Sequence, residues 1–279
     1  MSKKFVKIDS QILNSWSKCE TEFKYMFVRN LRPYDDAYPL ARGQLIHNIK
    51  EKYYEEYKAT KNRMKSAIMA VEYGRSKISM YDAIDIPHGM EILDNMREYF
   101  NYYSNDKYIP VEVEKIHKKV IFEDDDIAIL YVGKIDATLL GDEQFPLVIM
   151  DHKGYDRWFD PLVTDNQFTG YAKLVDIPCV IVNKIGFQKS YTAEKKFRRV
   201  KLVYTPEKVE EWVHNTARLV KDMVFFLEEG VFPMRRSQCG MYGGCNYLKI
   251  CELDPRARDM MIDKFYKVVE PWNPEKVKE

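Results

Sequence analysis

The sequence predicts a mixed α/β fold in which helices flank a central sheet. Apolar side chains recur at helical spacing through the first hundred or so residues, and from Tyr108 onward they gather in short runs rich in valine and isoleucine, as in strands. Three of the five cysteines lie close together near the end of the chain. We therefore expect a single domain with a helical part (1–107), a core of sheet and helix (108–204), and a C-terminal helix with a cysteine-rich tail (205–279).

The helical part begins with a capping signal. Asp9 or Ser10 is suited to cap a short helix, because a side-chain oxygen can accept from the free N–H groups of the first turn. Three longer segments with helical spacing of apolar residues follow. These predicted helices cover 40–58, 62–80 and 89–103.

The sheet is predicted from five strands. The acidic turn at 123–126 and the turn segment at 141–146 separate the first three strands, which should follow one another as hairpins. The predicted strands cover 111–122, 127–140, 145–153, 177–187 and 197–204. Helices are predicted over 160–175 and 205–229, the second with Thr205 as N-cap, Pro206 in the first turn and Gly230 at its end.

The composition is that of a soluble globular protein. Basic and acidic residues number 44 and 43, so any sign of a nucleic-acid partner must be local. No apolar run is long enough for a membrane span, and no apolar signal core follows the basic N-terminal residues. We therefore expect a cytoplasmic protein without a membrane partner, in which the thiols stay reduced.

The segment IMDHKG at 149–154 contains an acid, a spacer and a lysine. Alternate residues of a strand share a face, so Asp151 and Lys153 should project together while His152 faces away. Such a triplet also arises by chance in a charged protein. A second acid, Asp136, lies among apolar residues of the preceding strand, where a carboxylate is costly unless it is paired or bound to a metal. Two carboxylates and a lysine suit metal-dependent hydrolysis of a phosphodiester.

Two helices add polar candidates. His47 lies on the helix predicted over 40–58, and a lone histidine there is usually an ordinary core or surface residue. Gln167 and Tyr171 lie four residues apart on the helix after the Asp151 strand, so they share a face. Taken alone, each of the three is explained by packing.

Taken in order, these residues resemble the motif series of the RecB-like branch of the PD-(D/E)XK nuclease superfamily. Each motif is weak by itself, whereas their order and their placement on predicted elements are specific. His152 departs from the series, because an aromatic residue is commoner at that position. The matching segments are Gly43-x-x-x-His47, Gly133-Lys-Ile-Asp136, Asp151-x-Lys153 and Gln167-x-x-x-Tyr171.

The resemblance implies a restriction-endonuclease-like sheet and a site for Mg²⁺ or Mn²⁺. It implies that Lys153 acts on the attacking water or the phosphate, and that the Gln167 and Tyr171 helix lines the catalytic site around Asp136 and Asp151. The metal ligands that it implies are His47, Asp136, Asp151 and the backbone carbonyl of His152.

The cysteines suggest a second metal site. Cys239, Cys245 and Cys251 are separated by five residues each, which is looser than the pairs of zinc sites, and three thiolates need a fourth ligand. The iron–sulphur RecB-like nucleases, which include AddB and the CRISPR-adaptation nucleases, hold a [4Fe-4S] cluster with one cysteine before the nuclease core and three after it. By this resemblance Cys19 is the first. Zinc and unligated thiols stay open as alternatives, and Cys179 is expected in the core.

The resemblance implies a DNA nuclease, an exonuclease rather than an endonuclease, that acts on linear DNA with single-stranded ends in recombination or repair. No G-x-x-x-x-G-K-[ST] motif is present, so a separate helicase or recombination protein is an expected partner. A phage or prokaryotic origin is expected. Two other classes stay open: a DNA-binding or scaffold protein with the nuclease fold but no turnover, and a zinc-stabilised structural module.

One stretch, residues 183–201, is strongly basic. Taken alone it is explained by a solvated hairpin. Beside a nuclease site it would contact the phosphate backbone, and the candidate residues are Lys195, Lys196, Arg198 and Arg199.

Overall fold

The structure is a computed structural model that describes residues 3–34, 38–156, 160–240 and 244–275. Within these ranges, a mixed sheet with flanking helices confirms the predicted fold class. No helix of the described residues is both long enough and apolar enough to cross a membrane.

The strands and helices alternate along the chain. The strands are β1 (Lys4–Ile8), β2 (Leu31–Pro33), β3 (Ile109–Glu123), β4 (Ile127–Leu140), β5 (Leu147–Tyr155), β6 (Cys179–Gly186), β7 (Phe197–Val203) and β8 (Tyr266–Val268). The α-helices are α1 (Ser10–Lys18), α2 (Glu20–Phe23), α3 (Tyr38–Thr60), α4 (Arg63–Lys77), α5 (Ile86–Tyr102), α6 (Asn166–Val175), α7 (Ala193–Lys196), α8 (Pro206–Glu229), α9 (Leu248–Cys251) and α10 (Arg258–Phe265). A π-helical turn, Lys24–Val28, follows α2.

The described chain divides into two compact units that interleave along the sequence. The first unit takes its residues from 1–35, 118–133 and 207–279, and the second unit from 36–117 and 134–206. Strand β4 contributes its first half to the first unit and its second half to the second.

The second unit contains the sheet segment that carries the predicted site. Strand β5 pairs antiparallel with the second half of β4 and parallel with β6, and β6 pairs antiparallel with β7. β6 is buried along its whole length, as expected for a strand that is covered on both faces. A hydrophobic core joins the sheet to α3, α4 and α5, with Leu45, Ile49, Ile92 and Met96 fully buried.

The first unit is built around two strand pairs. Strand β1 pairs in parallel with the first half of β4, so that Lys4 lies opposite Ile127. Strands β2 and β8 form a separate antiparallel pair. Beside this pair lies a small aromatic core that contains Tyr25, Tyr247 and Tyr266.

Local signals account for several element ends. The carboxylate of Asp9 accepts a hydrogen bond from the backbone N–H of Ile12 at 2.8 Å, which confirms the predicted cap of α1. Gly230 has φ +69° directly after α8, the left-handed conformation in which many helices end. The helix predicted over 160–175 begins only at Asn166, because Asp165 caps it. Strands β1, β2 and β8 were not predicted, since they are only three to five residues long.

Candidate active site

Asp151 and Lys153 lie on the same face of β5. The ammonium of Lys153 is 2.9 Å from Oδ2 of Asp151, whose side chain is fully buried. Burial, opposed by Lys153 and assisted by Asp136, raises the pKa of Asp151 to about 6. The alternation of the strand turns the ring of His152 away from this pair, and there it stacks on Tyr54.

Asp136 lies where the pairing of β4 with β5 ends. The antiparallel register runs from Leu140 opposite Leu147 to Ala137 opposite Met150, one residue short of Asp136. Beyond that point the backbone N–H of His152 donates to Oδ2 of Asp136 at 2.7 Å, so a side-chain carboxylate takes the position of a strand acceptor. This contact brings the two acid-bearing strands together at the predicted site.

His47 reaches the same carboxylate from α3. Its Nδ1 atom lies 3.3 Å from Oδ2 of Asp136. Burial alone would lower the pKa of His47, but the carboxylates of Asp136 and Glu114 outweigh it and raise the pKa to about 10. Burial would raise the pKa of Asp136, and the positive His47 overcomes this and holds it well below its usual value.

Glu114 of β3 completes a group that the sequence did not indicate. His47, Glu114 and Asp136 each offer one ligand atom, and these three atoms lie within 4.8 Å of one another. Among the described residues, this is the group of three or more side chains that could hold a metal ion. Oε2 of Glu114 also forms an ion pair with Nζ of Lys134, at 2.6 Å. Its backbone has φ +49°, a left-handed conformation that is rare for a non-glycine residue and costs free energy.

Gln167 and Tyr171 of α6 tie the lysine to the acid. Oε1 of Gln167 accepts from Lys153 at 3.0 Å, and Nε2 of the same amide donates to Oδ1 of Asp151 at 3.0 Å and to the hydroxyl of Tyr171 at 2.8 Å. The Tyr171 hydroxyl donates to the backbone oxygen of Lys134 at 2.7 Å. The predicted pair on α6 therefore orients both Asp151 and Lys153.

The donor set suits a hard divalent cation. Carboxylate oxygens and one imidazole nitrogen are ligands that Mg²⁺ and Mn²⁺ accept. Asp151, held by Lys153 and Gln167, lies outside this group of three. Burial would lower the pKa of Lys153, but Asp151 and Asp136 raise it, so the lysine stays positively charged.

The four cysteines of the predicted second metal site all belong to the first unit. Sγ of Cys19 accepts from the backbone N–H of Arg235 at 3.4 Å, and the backbone N–H of Cys245 donates to the carbonyl of Cys239 at 2.9 Å. Burial raises the pKa of Cys251 to about 11, and Cys245, Cys19 and Cys239 add to this shift. Residues 241–243, between two of them, lie outside the described residues. Cys179 is fully buried in the core of the second unit, as predicted.

The basic stretch 183–201 divides into exposed and buried cations. Lys195 and Arg198 are exposed. Lys196 is paired with Glu98 at 2.6 Å. The side chain of Arg199 is only 14% exposed and binds Asp106 at 2.6 Å, so the prediction that Arg199 contacts a phosphate backbone is wrong. The alternation of β7 explains the difference, since neighbouring residues 198 and 199 face opposite sides.

Known proteins are similar to this chain in sequence pattern and in fold. Residues 11–252 match the family model of the PD-(D/E)XK nuclease superfamily. A solved structure of a presumed exonuclease from Eubacterium rectale is similar over 84% of this chain and 86% of its own, at 11% identity and a TM-score of 0.52. A second solved structure, of the protein SSO0001, aligns with 54% of this chain and 65% of its own, at 12% identity and a TM-score of 0.32. No curated protein matches the sequence significantly.

Proposed function

Because the chain belongs to the PD-(D/E)XK nuclease superfamily, we propose that it is a divalent-metal-dependent deoxyribonuclease. One observation carries the proposal: His47, Glu114 and Asp136 present three ligand atoms within 4.8 Å of one another, directly beside the Asp151–Lys153 pair. The proposed ligands of Mg²⁺ or Mn²⁺ are His47, Asp136 and Asp151, to which the structure leads us to add Glu114. The backbone carbonyl of His152 stays a proposed further ligand.

The surrounding residues have defined tasks in this proposal. A bound divalent cation supplies positive charge to the scissile phosphate and acidifies a water molecule. Lys153, positively charged and held by Gln167, binds the attacking water or a phosphate oxygen and stabilises the charge that develops there. Tyr171 fixes the amide of Gln167, so that a single orientation of Lys153 and Asp151 is maintained.

The proposed substrate is linear DNA, attacked from its ends as a single strand during recombination or repair. The fold of the presumed exonuclease supports the general class of enzyme. Because the sequence has no Walker A motif, a separate helicase or recombination protein would supply unwound ends. The exposed cations Lys195 and Arg198 are the proposed contacts to the DNA backbone.

We also propose that Cys19, Cys239, Cys245 and Cys251 hold a [4Fe-4S] cluster. All four cysteines belong to the first unit, and the other three each raise the pKa of Cys251, an effect that a bound cation would oppose. A tetrahedral zinc ion with Zn–S bonds of about 2.3 Å would draw the sulfurs to within about 3.8 Å of one another. Among the described residues these sulfurs form no group within 4.8 Å. The proposal of a cluster rests on the layout of one cysteine before the core and three after it, and zinc is the alternative.

A cleavage assay tests the proposed activity. Wild type and Lys153→Ala are incubated with Mg²⁺ or Mn²⁺ and end-labelled linear or closed circular DNA, each single- and double-stranded. The exposed Lys65 of α4 supplies a matched control, Lys65→Ala. We expect wild type and the control to degrade linear DNA only, and Lys153→Ala to lose at least 100-fold in rate.

Each other outcome identifies a different function. Cleavage of circles would make the protein an endonuclease. DNA binding without cleavage by wild type would indicate a DNA-binding or scaffold protein with the nuclease fold. Equal cleavage by wild type and Lys153→Ala would contradict the proposed site.

A further inference from the structure

A chain of buried hydrogen bonds lies behind β5, on the side of the His152 ring. Asn183 of β6 is opposite His152 in the strand register, and its Nδ2 atom lies 2.8 Å from Nδ1 of that ring. Oδ1 of Asn183 accepts from Nε of Arg199 at 3.1 Å and from the hydroxyl of Tyr99 at 3.2 Å. Asp106 in turn binds both terminal nitrogens of Arg199, at 2.8 and 2.6 Å.

Arg199 fixes the direction of these hydrogen bonds. A guanidinium can only donate, so the amide oxygen of Asn183 must face Arg199 and the amide NH₂ must face His152. Nδ1 of His152 is therefore the acceptor. With Nδ1 accepting from the amide, the ring carries its proton on Nε2.

The chain of buried hydrogen bonds ends at His152, which contacts the proposed metal site through its backbone N–H. The ring of His152 is held by Asn183 on its edge and by Tyr54 on its face, with ring centroids 5.7 Å apart. The backbone N–H of the same residue donates to Oδ2 of Asp136 at 2.7 Å. Because the ring is held on two sides and the strand is paired with β6, the backbone of residue 152 resists displacement, and its N–H keeps its place beside the Asp136 carboxylate.

Stability alone does not account for this arrangement. His152, Asn183 and Tyr99 are each at most 1% exposed, and polar groups at such depth are costly unless every one is paired. Apolar residues of similar volume would fill the same space at similar or lower cost. Apolar residues could not form the hydrogen bond that orients the ring of residue 152.

We propose that Asn183 and His152 are positioning residues that keep the Asp136 carboxylate in the orientation that binds the divalent cation, with Arg199 and Asp106 as their anchor. This inference rests on the proposed function, since it concerns the same metal site. Loss of a residue that orients a metal ligand typically weakens metal binding by about 10- to 100-fold.

Two matched variants test the proposal. Asn183→Leu removes the amide between Arg199 and His152. Asn95→Leu is the control, because Asn95 is also buried and its Nδ2 donates to the backbone oxygen of Gly186 at 3.0 Å, outside the chain of hydrogen bonds. Binding of Mn²⁺ is measured by electron paramagnetic resonance without DNA, and Tm is measured on the same samples.

We expect both variants to lose several degrees of Tm, since each loses a buried hydrogen bond. Only Asn183→Leu should raise the Kd for Mn²⁺, by about tenfold or more. An unchanged Kd in Asn183→Leu, with normal Mn²⁺ binding by wild type, would overturn the positioning role and leave the proposed function intact. Absence of Mn²⁺ binding by wild type would overturn the proposed function and this inference with it.

A second measurement serves if Asn183→Leu does not fold. The ring ¹⁵N chemical shifts of His152 in the wild-type protein report which nitrogen is protonated. A proton on Nε2 supports the inference, and a proton on Nδ1 overturns it, because Asn183 could then not donate to the ring.

Discussion

Nδ1 of His47 lies 3.3 Å from Oδ2 of Asp136, and the two side chains form an ion pair at the position proposed for the cation. Asp136 and Glu114 raise the pKa of His47 to about 10 against the opposing effect of burial, so the ring is protonated at neutral pH. A protonated imidazole has no lone pair for a metal. The cation and the proton therefore compete for His47.

This competition predicts proton release on metal binding. At pH 7 the binding of Mn²⁺ should release about one proton from His47, because the pKa of about 10 lies above the working pH and only the neutral ring is a ligand. Apparent affinity should rise about tenfold per pH unit between pH 7 and 9. Isothermal titration calorimetry in buffers of different ionisation enthalpy counts the released protons.

The control is His47→Gln, which should bind Mn²⁺ more weakly and with less proton release. Metal binding by wild type without proton uptake or release would contradict the ligand role of His47.

Glu114 supplies a second prediction. Glu114→Gln keeps the size of the side chain but removes the negative charge, so we expect the Kd for Mn²⁺ to rise at least tenfold. Glu112→Gln is the matched control, because Glu112 lies two residues earlier on β3 and pairs with His117 at 3.4 Å rather than with the group of three. Equal Mn²⁺ affinity of the two variants would remove Glu114 from the ligand set.

The contrast between Asp136 and Glu114 explains how much of the site could be predicted from sequence. Asp136 interrupts an apolar strand, and a buried carboxylate there is costly unless it is paired or bound to a metal. Glu114 lies in a strand that already alternates acidic and apolar residues, so nothing singles it out. Its approach to His47 depends on a left-handed φ of +49°. The residue types in this segment do not predict that backbone conformation.

The same reasoning applies to the fold. Strand β4 has the predicted bounds 127–140, because a run rich in apolar β-formers between two clear turn segments indicates a buried strand. Strands β2 and β8, three residues each, depend on a pairing between distant parts of the chain, for which local periodicity gives no signal. The burial of Arg199 likewise depends on Asp106, which lies ninety-three residues earlier.

The basic stretch gives a prediction that separates exposed from buried cations. In the Lys153→Ala background, replacing Lys195 and Arg198 with alanine should weaken DNA binding and lower the salt slope by about 0.7 for each lost contact to a single strand. Binding is measured by fluorescence anisotropy over a series of salt concentrations. An unaltered slope would exclude these two residues as phosphate contacts.

Arg199→Ala is expected to behave differently. It leaves the buried Asp106 without its partner, so the free energy of unfolding should fall by about 3–5 kcal/mol, as urea denaturation would measure. Stability equal to that of wild type would show that the ion pair forms no part of the folded core.

The cysteines give the last prediction. If Cys19 is a cluster ligand, Cys19→Ala should lose iron and acid-labile sulfide and should lower Tm, because the cluster joins α1 and α2 to the C-terminal tail of the same unit. Cys179→Ala is the matched control, since Cys179 is equally free of a disulfide but lies in the apolar core around β6. It should keep the full metal content.

Iron, zinc and sulfide are measured per chain on protein purified without oxygen. Zinc without iron in wild type would replace the cluster by a zinc site, and unchanged iron in Cys19→Ala would exclude Cys19 as a ligand.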